Sequence, residues 1–239
     1  PMVAITGQVP AHLIGSDAFQ ETDITGVCLP VTKHTYLVTQ PEDIVPTLRE
    51  AFYVARSGRP GPVLYDITKD ALNKSCVFQW DDSPIQLPGY RPEYPVLPDD
   101  IQRAIELIDK AERPVILAGH GIIKAEATST LLEFVKRTDI PVACTLLGLG
   151  GFPATHDRNL GMMGMHGESW VNTAIQEADL LIALGMRFDD RVTGNLANYA
   201  RNAKKIHVEL DPAEVNKNVR VDVPIIGDVA NVLGDLLQV

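Results

Sequence analysis

Cysteine is scarce in this sequence: three residues in 239, Cys28, Cys76 and Cys144, odd in number and widely spaced. They fit neither a disulfide framework nor a C-x-x-C metal site, which points to a reducing compartment. Basic charge is scarce as well. Twenty-one Lys plus Arg stand against 31 Asp plus Glu, a formal charge of −10, and no basic run is present that would neutralise a row of phosphates. Nucleic acid is therefore not an expected partner. No apolar run approaches the roughly 18 residues of a membrane helix, and no charged-then-apolar leader opens the chain, so a soluble protein without a membrane partner is expected. Internal repeats and low-complexity tracts are absent. What is present, 45% hydrophobic residues over 239 positions, suffices for one large α/β domain or one and a half ordinary ones.

The chain opens on Pro1-Met2-Val3-Ala4-Ile5-Thr6-Gly7-Gln8, which reads as a strand entering a loop, and it ends within an amphipathic pattern from Val229 to Val239. Both ends are expected to be cuts, with a segment missing upstream. Thr39-Gln40-Pro41-Glu42 has capping-box spacing, and Ile44, Leu48, Ala51, Phe52 and Ala55 follow on one face, predicting a helix near 40–56 with Pro46 an awkward early member. Gly58-Arg59-Pro60-Gly61-Pro62 is a rigid turn leading into a short apolar strand at 63–67. Between Asp81 and Pro98 the chain carries Pro84, Pro88, Gly89, Pro92, Pro95 and Pro98, a composition suited to an extended crossing. The expected organisation is a first domain over 1–82, a linker over 83–98 and a second domain over 99–239. In the second, helices near 99–110, 124–137, 168–177, 212–218 and from 228 alternate with strands near 114–118, 140–144, 179–184, 205–210 and 222–226. Such alternation implies a doubly wound parallel sheet covered on both faces.

The polar residues of interest fall at the carboxyl ends of those strands, where open α/β sheets bind ligands. Gly119-His120-Gly121 lets backbone amides approach a phosphate at a helix start. A strand-to-helix turn needs glycine anyway, and the third glycine of G-x-G-x-x-G is replaced by Lys124, so the two readings stand level. Gly185-Met186-Arg187-Phe188-Asp189-Asp190-Arg191-Val192-Thr193-Gly194 places two arginines and two aspartates after a strand. Arginines suit a pyrophosphate, and aspartates either hold the arginines or accept from hydroxyls; the plainer reading is a solvated charged loop. Gly164-Met165-His166-Gly167 precedes a helix, the strand near 205–210 ends in Glu209-Leu210-Asp211, where an acid could accept from a ribose, and the strand near 222–226 ends in Gly227-Asp228. His120, His156, His166 and His207 show no metal spacing, and no metal is expected in this chain. In the first domain, Gly7-Gln8-Val9-Pro10 and Asp17-Ala18-Phe19-Gln20-Glu21-Thr22 have the composition of site loops, with a Phe19 tucked into a core as the equal alternative. Lys33-His34 reads as an anion contact or as a solvated edge.

Taken together, in order and at matching spacing, Gly7 to Pro10, Asp17 to Thr22, Thr32 to His34, Gly58 to Val63, Gly164 to Gly167 and Arg187 to Gly194 resemble the acetolactate synthase (acetohydroxyacid synthase) large-subunit family of thiamine-diphosphate enzymes. The resemblance covers nearly the whole chain. It implies the C-terminal part of a thiamine-binding pyrimidine-type domain followed by an FAD-binding middle domain. The implied reaction is a transfer in isoleucine and valine biosynthesis: condensation of two pyruvates, or of pyruvate with 2-oxobutyrate. FAD would lie extended without a redox part in that cycle, surrounded by Arg59, Gly119, His120, Gly121, Thr145, Leu146, His166, Gly167, Gly185, Arg187, Asp189, Asp190, Arg191, Glu209, Leu210 and Asp228. Phe19, Gln20 and Lys33 would face the substrate channel, and Pro10, Ala18, Lys33 and Asp190 fall where the family binds herbicides. Thiamine diphosphate and Mg2+ would be held mainly by residues outside this chain. A homodimer or homotetramer, a small regulatory subunit and a cytoplasmic or plastid-stromal location are further implications. The other readings are a non-catalytic FAD-binding module, another thiamine-diphosphate carboligase or oxidase, and, last, a nicotinamide dehydrogenase.

Overall fold

In the computed structural model, which describes residues 1–238, the chain divides into two compact units, Pro1–Pro92 and Glu93–Val239. The first unit contains β1 (Met2–Gln8), α1 (Ile24–Cys28), β2 (His34–Val38), α2 (Ile44–Arg56), β3 (Pro62–Thr68) and α3 (Lys69–Asn73). The three strands form a parallel sheet in the order β1-β3-β2, with Val3 opposite Val63 and His34 opposite Val63 on the other side. α2 turns Ala51, Val54 and Ala55 onto Val63, Tyr65 and Ile67, the core of this unit. Pro46 causes no break because it is the third residue of α2, where a backbone N–H has no helical acceptor. The helix expected from about residue 40 begins only at Ile44. A 3-10 turn over Pro41–Asp43 leads into α2, and neither Gln40 nor Asp43 caps with its side chain. Residues 75–97 carry neither helix nor strand.

The second unit runs α4 (Pro98–Lys110), β4 (Pro114–Ala118), α5 (His120–Lys124), α6 (Thr128–Thr138), β5 (Val142–Cys144), β6 (Asn159–Met162), α7 (Ser169–Glu177), β7 (Leu180–Leu184), α8 (Asp190–Thr193), β8 (Lys204–Glu209), β9 (Val223–Ile226) and α9 (Val229–Gln238). α4 begins with proline and two aspartates and ends on Lys110, so fixed φ and charge both favour its two ends. All six strands are parallel, in the order β6-β5-β4-β7-β8-β9. One face of the sheet buries Ile116, Ile182, Ile206 and Val208 against Leu131, Phe134, Val232 and Leu233. The other buries Val115, Leu117, Leu181 and Ala183 against Val171, Ile175 and Tyr199. The doubly wound parallel sheet expected from the pattern is therefore present. The chain reverses its direction of strand addition between β4 and β7, which makes the gap beyond their carboxyl ends the switch point.

Three expectations are corrected. The helix expected over 124–137 is two helices, because α5 ends at Lys124, Glu126 takes a left-handed φ of 53°, and α6 starts only at Thr128. The helix expected over 212–218 shrinks to a 3-10 turn over Pro212–Glu214, since Asn216 adopts φ 59° and its Oδ1 accepts from Val221 N. β2 and β6 have no counterpart among the expected strands. β6 is four residues long, contains Gly161 at φ 106°, and lies at the sheet edge, so Leu160 and Met162 alone make too short an apolar signal to announce it.

Candidate functional site

The six strand ends of the second unit are knitted together by backbone hydrogen bonds. Met163 N–H donates to Cys144, Thr145 N–H to Ala118, Gly119 N–H to Leu184 and Gly185 N–H to Val208, all at 2.9–3.0 Å, and Gly227 N–H donates to Glu209 at 3.0 Å. This ladder continues the sheet by one residue past every strand but β8 and sets a row of loops on one rim. Gly119, His120, Gly121, Thr145, Leu146, Gly185, Glu209, Leu210 and Asp228 all lie on or next to it.

At the switch point the glycines are required by the protein's own packing. A Cβ on Gly121 would lie 2.6 Å from Gly185 Cα, and one on Gly119 would lie 2.3 Å from the Gly185 carbonyl oxygen. Gly121 N–H donates to that same oxygen at 2.9 Å, and Gly185 has φ 58°. Between the two readings of Gly119-His120-Gly121, this contact carries the turn-and-packing one. α5 is only five residues long, too short to supply the helix-end field invoked for a phosphate. His120 Nδ1 is paired with the Leu147 carbonyl at 2.8 Å. Thr145 Oγ1 accepts from Gly148 N, and Leu146 is exposed.

The arginine-bearing loop is built with more specificity than its composition indicated. Asp189 caps α8, accepting from Arg191 N at 2.9 Å and Val192 N at 3.2 Å, and its other oxygen lies 3.4 Å from Arg187 Nε. Asp190 sits 3.8 Å from Arg191 Nη1. Gly164, at φ 97°, packs against the Arg191 carbonyl, which accepts from Met165 N at 2.8 Å. The structure thus brings Gly164-Met165-His166-Gly167 and Asp189-Asp190-Arg191 together, with His166, Arg187 and Arg191 exposed at the rim. At the end of β8, Glu209 Oε1 accepts from Leu210 N and Asp211 N, and Asp228 Oδ1 accepts from Ala230 N beyond β9. Two exposed guanidiniums flanked by carboxylates along one rim are the donor and acceptor set that an extended dinucleotide requires: arginines for the pyrophosphate, carboxylates for hydroxyls. FAD fits that set. No group of three or more His, Cys, Asp or Glu side chains is arranged to hold a metal ion among the described residues.

Two functional-looking residues had no motif to announce them. His207 of β8 is fully buried, and its Nε2 lies 2.7 Å from the Met186 carbonyl. Burial holds its imidazole below the usual range, with the Met186 contact and Glu209 acting the other way. Asn218 Nδ2 donates to the Phe188 carbonyl at 2.8 Å. The only signal was a histidine between the apolar residues Ile206 and Val208. The Cys144 thiol, buried in β5, is pushed up to about 11 and is not nucleophilic.

In the first unit the loop after β1 is organised by Glu21, whose carboxylate accepts from Gly15 N and from Ala18 N and is held below its usual range by those amides. Phe19 therefore projects outward, 88% exposed, and the reading that tucked it into a core is corrected. Gln20 is exposed at φ 64°. Lys33 is engaged inwardly: its Nζ donates to Val54 O at 2.6 Å, Ser57 O at 2.7 Å and Tyr90 Oη at 3.0 Å. With three donors used, neither the anion contact nor the solvated edge describes it. Arg59 is exposed in the turn after α2. Phe19, Gln20, Lys33 and Arg59 belong to the first unit and the other site residues to the second.

Residues 101–236 match the family model described as thiamine pyrophosphate enzyme, central domain. Over 238 residues the chain is 52% identical to a Corynebacterium glutamicum protein named acetolactate synthase large subunit, covering all of this chain and 38% of that one. It is 49% identical over 239 residues to a Methanocaldococcus jannaschii protein named probable acetolactate synthase large subunit, covering 99% of this chain and 40% of the relative. A Haemophilus influenzae acetolactate synthase large subunit is 45% identical over 238 residues, with 42% of its length covered. The chain thus spans about two fifths of the length of the curated relatives it matches.

Proposed function

This chain belongs to the thiamine pyrophosphate enzymes, whose central domain it carries, and on that premise we propose that it serves an acetolactate synthase as the FAD-holding segment of the large subunit. The carrying observation is identity of 45–52% over essentially the whole chain with three relatives that bear that name. The proposed reaction joins two pyruvates to 2-acetolactate, or pyruvate to 2-oxobutyrate giving 2-aceto-2-hydroxybutyrate, with loss of carbon dioxide. When bound, thiamine diphosphate with Mg2+ supplies the electron sink for the decarboxylation, while FAD is structural. Residues 1–82 would be the end of the pyrimidine-type domain, with Phe19 and Gln20 offered to the substrate from an exposed loop. In the second unit Arg187 and Arg191 would bind the FAD pyrophosphate, and Glu209 and Asp228 would accept from its hydroxyls. The words "large subunit" in the relatives' names support a smaller regulatory partner, and a homodimer or homotetramer and a cytoplasmic or plastid-stromal setting complete the proposal.

The test has two parts. FAD titrated into the 239-residue chain is expected to lose fluorescence, and Arg187→Ala is expected to weaken binding about tenfold, the scale of one charge-assisted hydrogen bond. An unchanged affinity removes Arg187 from the site. Acetolactate formation by this chain alone, supplied with pyruvate, thiamine diphosphate, Mg2+ and FAD, is expected to be nil; measurable turnover would overturn the assignment of the thiamine-binding groups to residues outside it.

A further inference from the structure

Arg187 stands between two carbonyls that the fold holds from below. The Met186 carbonyl oxygen lies 2.7 Å from His207 Nε2, and the Phe188 carbonyl oxygen accepts from Asn218 Nδ2 at 2.8 Å. A carbonyl can only accept, so the His207 proton is on Nε2 and Nδ1 is a bare acceptor. That Nδ1 is buried and has no partner among the described residues. A leucine would fill the same space without leaving an unpaired polar atom. The ring is kept in place by an edge-on contact with Phe188, centroids 5.0 Å apart, and Phe188 in turn meets Tyr199 edge-on at 6.1 Å. The backbone on both sides of Arg187 is therefore pinned to β8 and to the segment following it, while Asp189 holds its Nε.

We infer that His207 and Asn218 are positioning residues, which aim the Arg187 guanidinium along the strand-end rim by clamping the carbonyls of Met186 and Phe188. Neither side chain needs to touch the ligand. This rests on the proposal that the rim binds FAD, and it adds the reason that Arg187 is pre-aimed rather than ordered on binding. Pre-aiming spares the ligand the cost of fixing a long side chain and its loop.

The test measures FAD affinity of the 239-residue chain by flavin fluorescence, with thermal unfolding of each ligand-free variant alongside. His207→Gln places an amide N–H near the original Nε2 and is expected to stay within about threefold of wild type, whereas His207→Leu, which cannot donate, is expected to weaken binding about tenfold. Asn218→Ala, at an exposed position where folding is not at risk, is expected to weaken binding about threefold to tenfold. In an Arg187→Ala background, His207→Leu is expected to add less than about twofold, because residues acting through one another are not additive. If Arg187→Ala itself leaves FAD binding unchanged, the site reading falls. If Arg187→Ala weakens binding but His207→Leu and Asn218→Ala do not, or if His207→Leu has its full effect without Arg187, the site stands and the positioning role is overturned. Equal losses in His207→Gln and His207→Leu would likewise overturn it, since the hydrogen bond would then not be what matters.

Discussion

In the six-stranded sheet of the second unit, β4 and β7 have a strand on each side and a hydrophobic cluster on each face. In the three-stranded sheet of the first unit only β3 has two neighbours, and Met2 and Ile5 of β1 and Leu37 of β2 are exposed. The same element types, parallel strands and amphipathic helices, thus yield a sheet closed on both faces in one case and a sheet with apolar edge residues in the other. The difference shows where each unit's order comes from. The second unit draws on a buried interior, with Leu180 to Leu184 of β7 buried without interruption. The first depends more on specific polar ties: Lys33 to the end of α2, Tyr65 Oη to the Ile44 carbonyl at 2.6 Å, and Thr6 to the buried Asp66 at 2.7 Å.

The sharpest way to break this comparison is a matched pair of core truncations. Ile182→Ala in β7, at a fully buried position, is expected to cost about 2–5 kcal/mol. Ile67→Ala in β3, slightly exposed at the edge of a smaller core, is expected to fall at or below the bottom of that range. Urea unfolding of both variants measures it, and equal losses would abolish the distinction. The next effect is Lys33→Met, which leaves the Val54 and Ser57 carbonyls without their ammonium donor and is expected to cost about 1–3 kcal/mol. Hydrogen exchange should accelerate in α2 and β3 while amides of β4, β7 and β8 keep their protection; a uniform change would mean the units do not open separately.

The smallest expected effect is in the second unit's pH response. Burial depresses the folded-state pKa of His207 below its unfolded value, so the unfolded chain binds the proton more readily. Stability is then full above the unfolded histidine value, near 6.5, and declines as pH falls below it, by less than one proton's worth of slope. Chemical denaturation from pH 7.5 to 5 measures the decline. His207→Gln should flatten it, and an unchanged slope in that variant would assign the decline to other groups.

The alternation of helices and apolar strands was legible because interior parallel strands such as Leu180–Leu184 are apolar throughout and helices such as α4 carry their cap signals locally. Less regular pieces were not legible. The break between α5 and α6 turns on the left-handed Glu126, and β6 is a strand by pairing alone. At the site, the positions of Arg187, Asp189, Asp190 and Arg191 after a strand were readable from spacing. The inward engagement of Lys33 was not, because its three acceptors come from residues 21 to 57 positions away.

By itself, then, the sequence determined the two-part organisation of periodicities, the parallel doubly wound class of the second part, and the placement of glycines, arginines and acids at strand ends. These depend on interactions within a turn or two of chain. The tertiary structure alone decided that the glycines at 119, 121 and 185 are spaces for one another's backbone, that Lys33 turns inward onto the end of α2, and that a buried histidine and an asparagine hold the carbonyls flanking Arg187. The physical reason is range. A hydrogen bond or a 2.6 Å exclusion between residues tens of positions apart leaves no periodic trace in the sequence, and it becomes visible only when strand order sets those residues side by side.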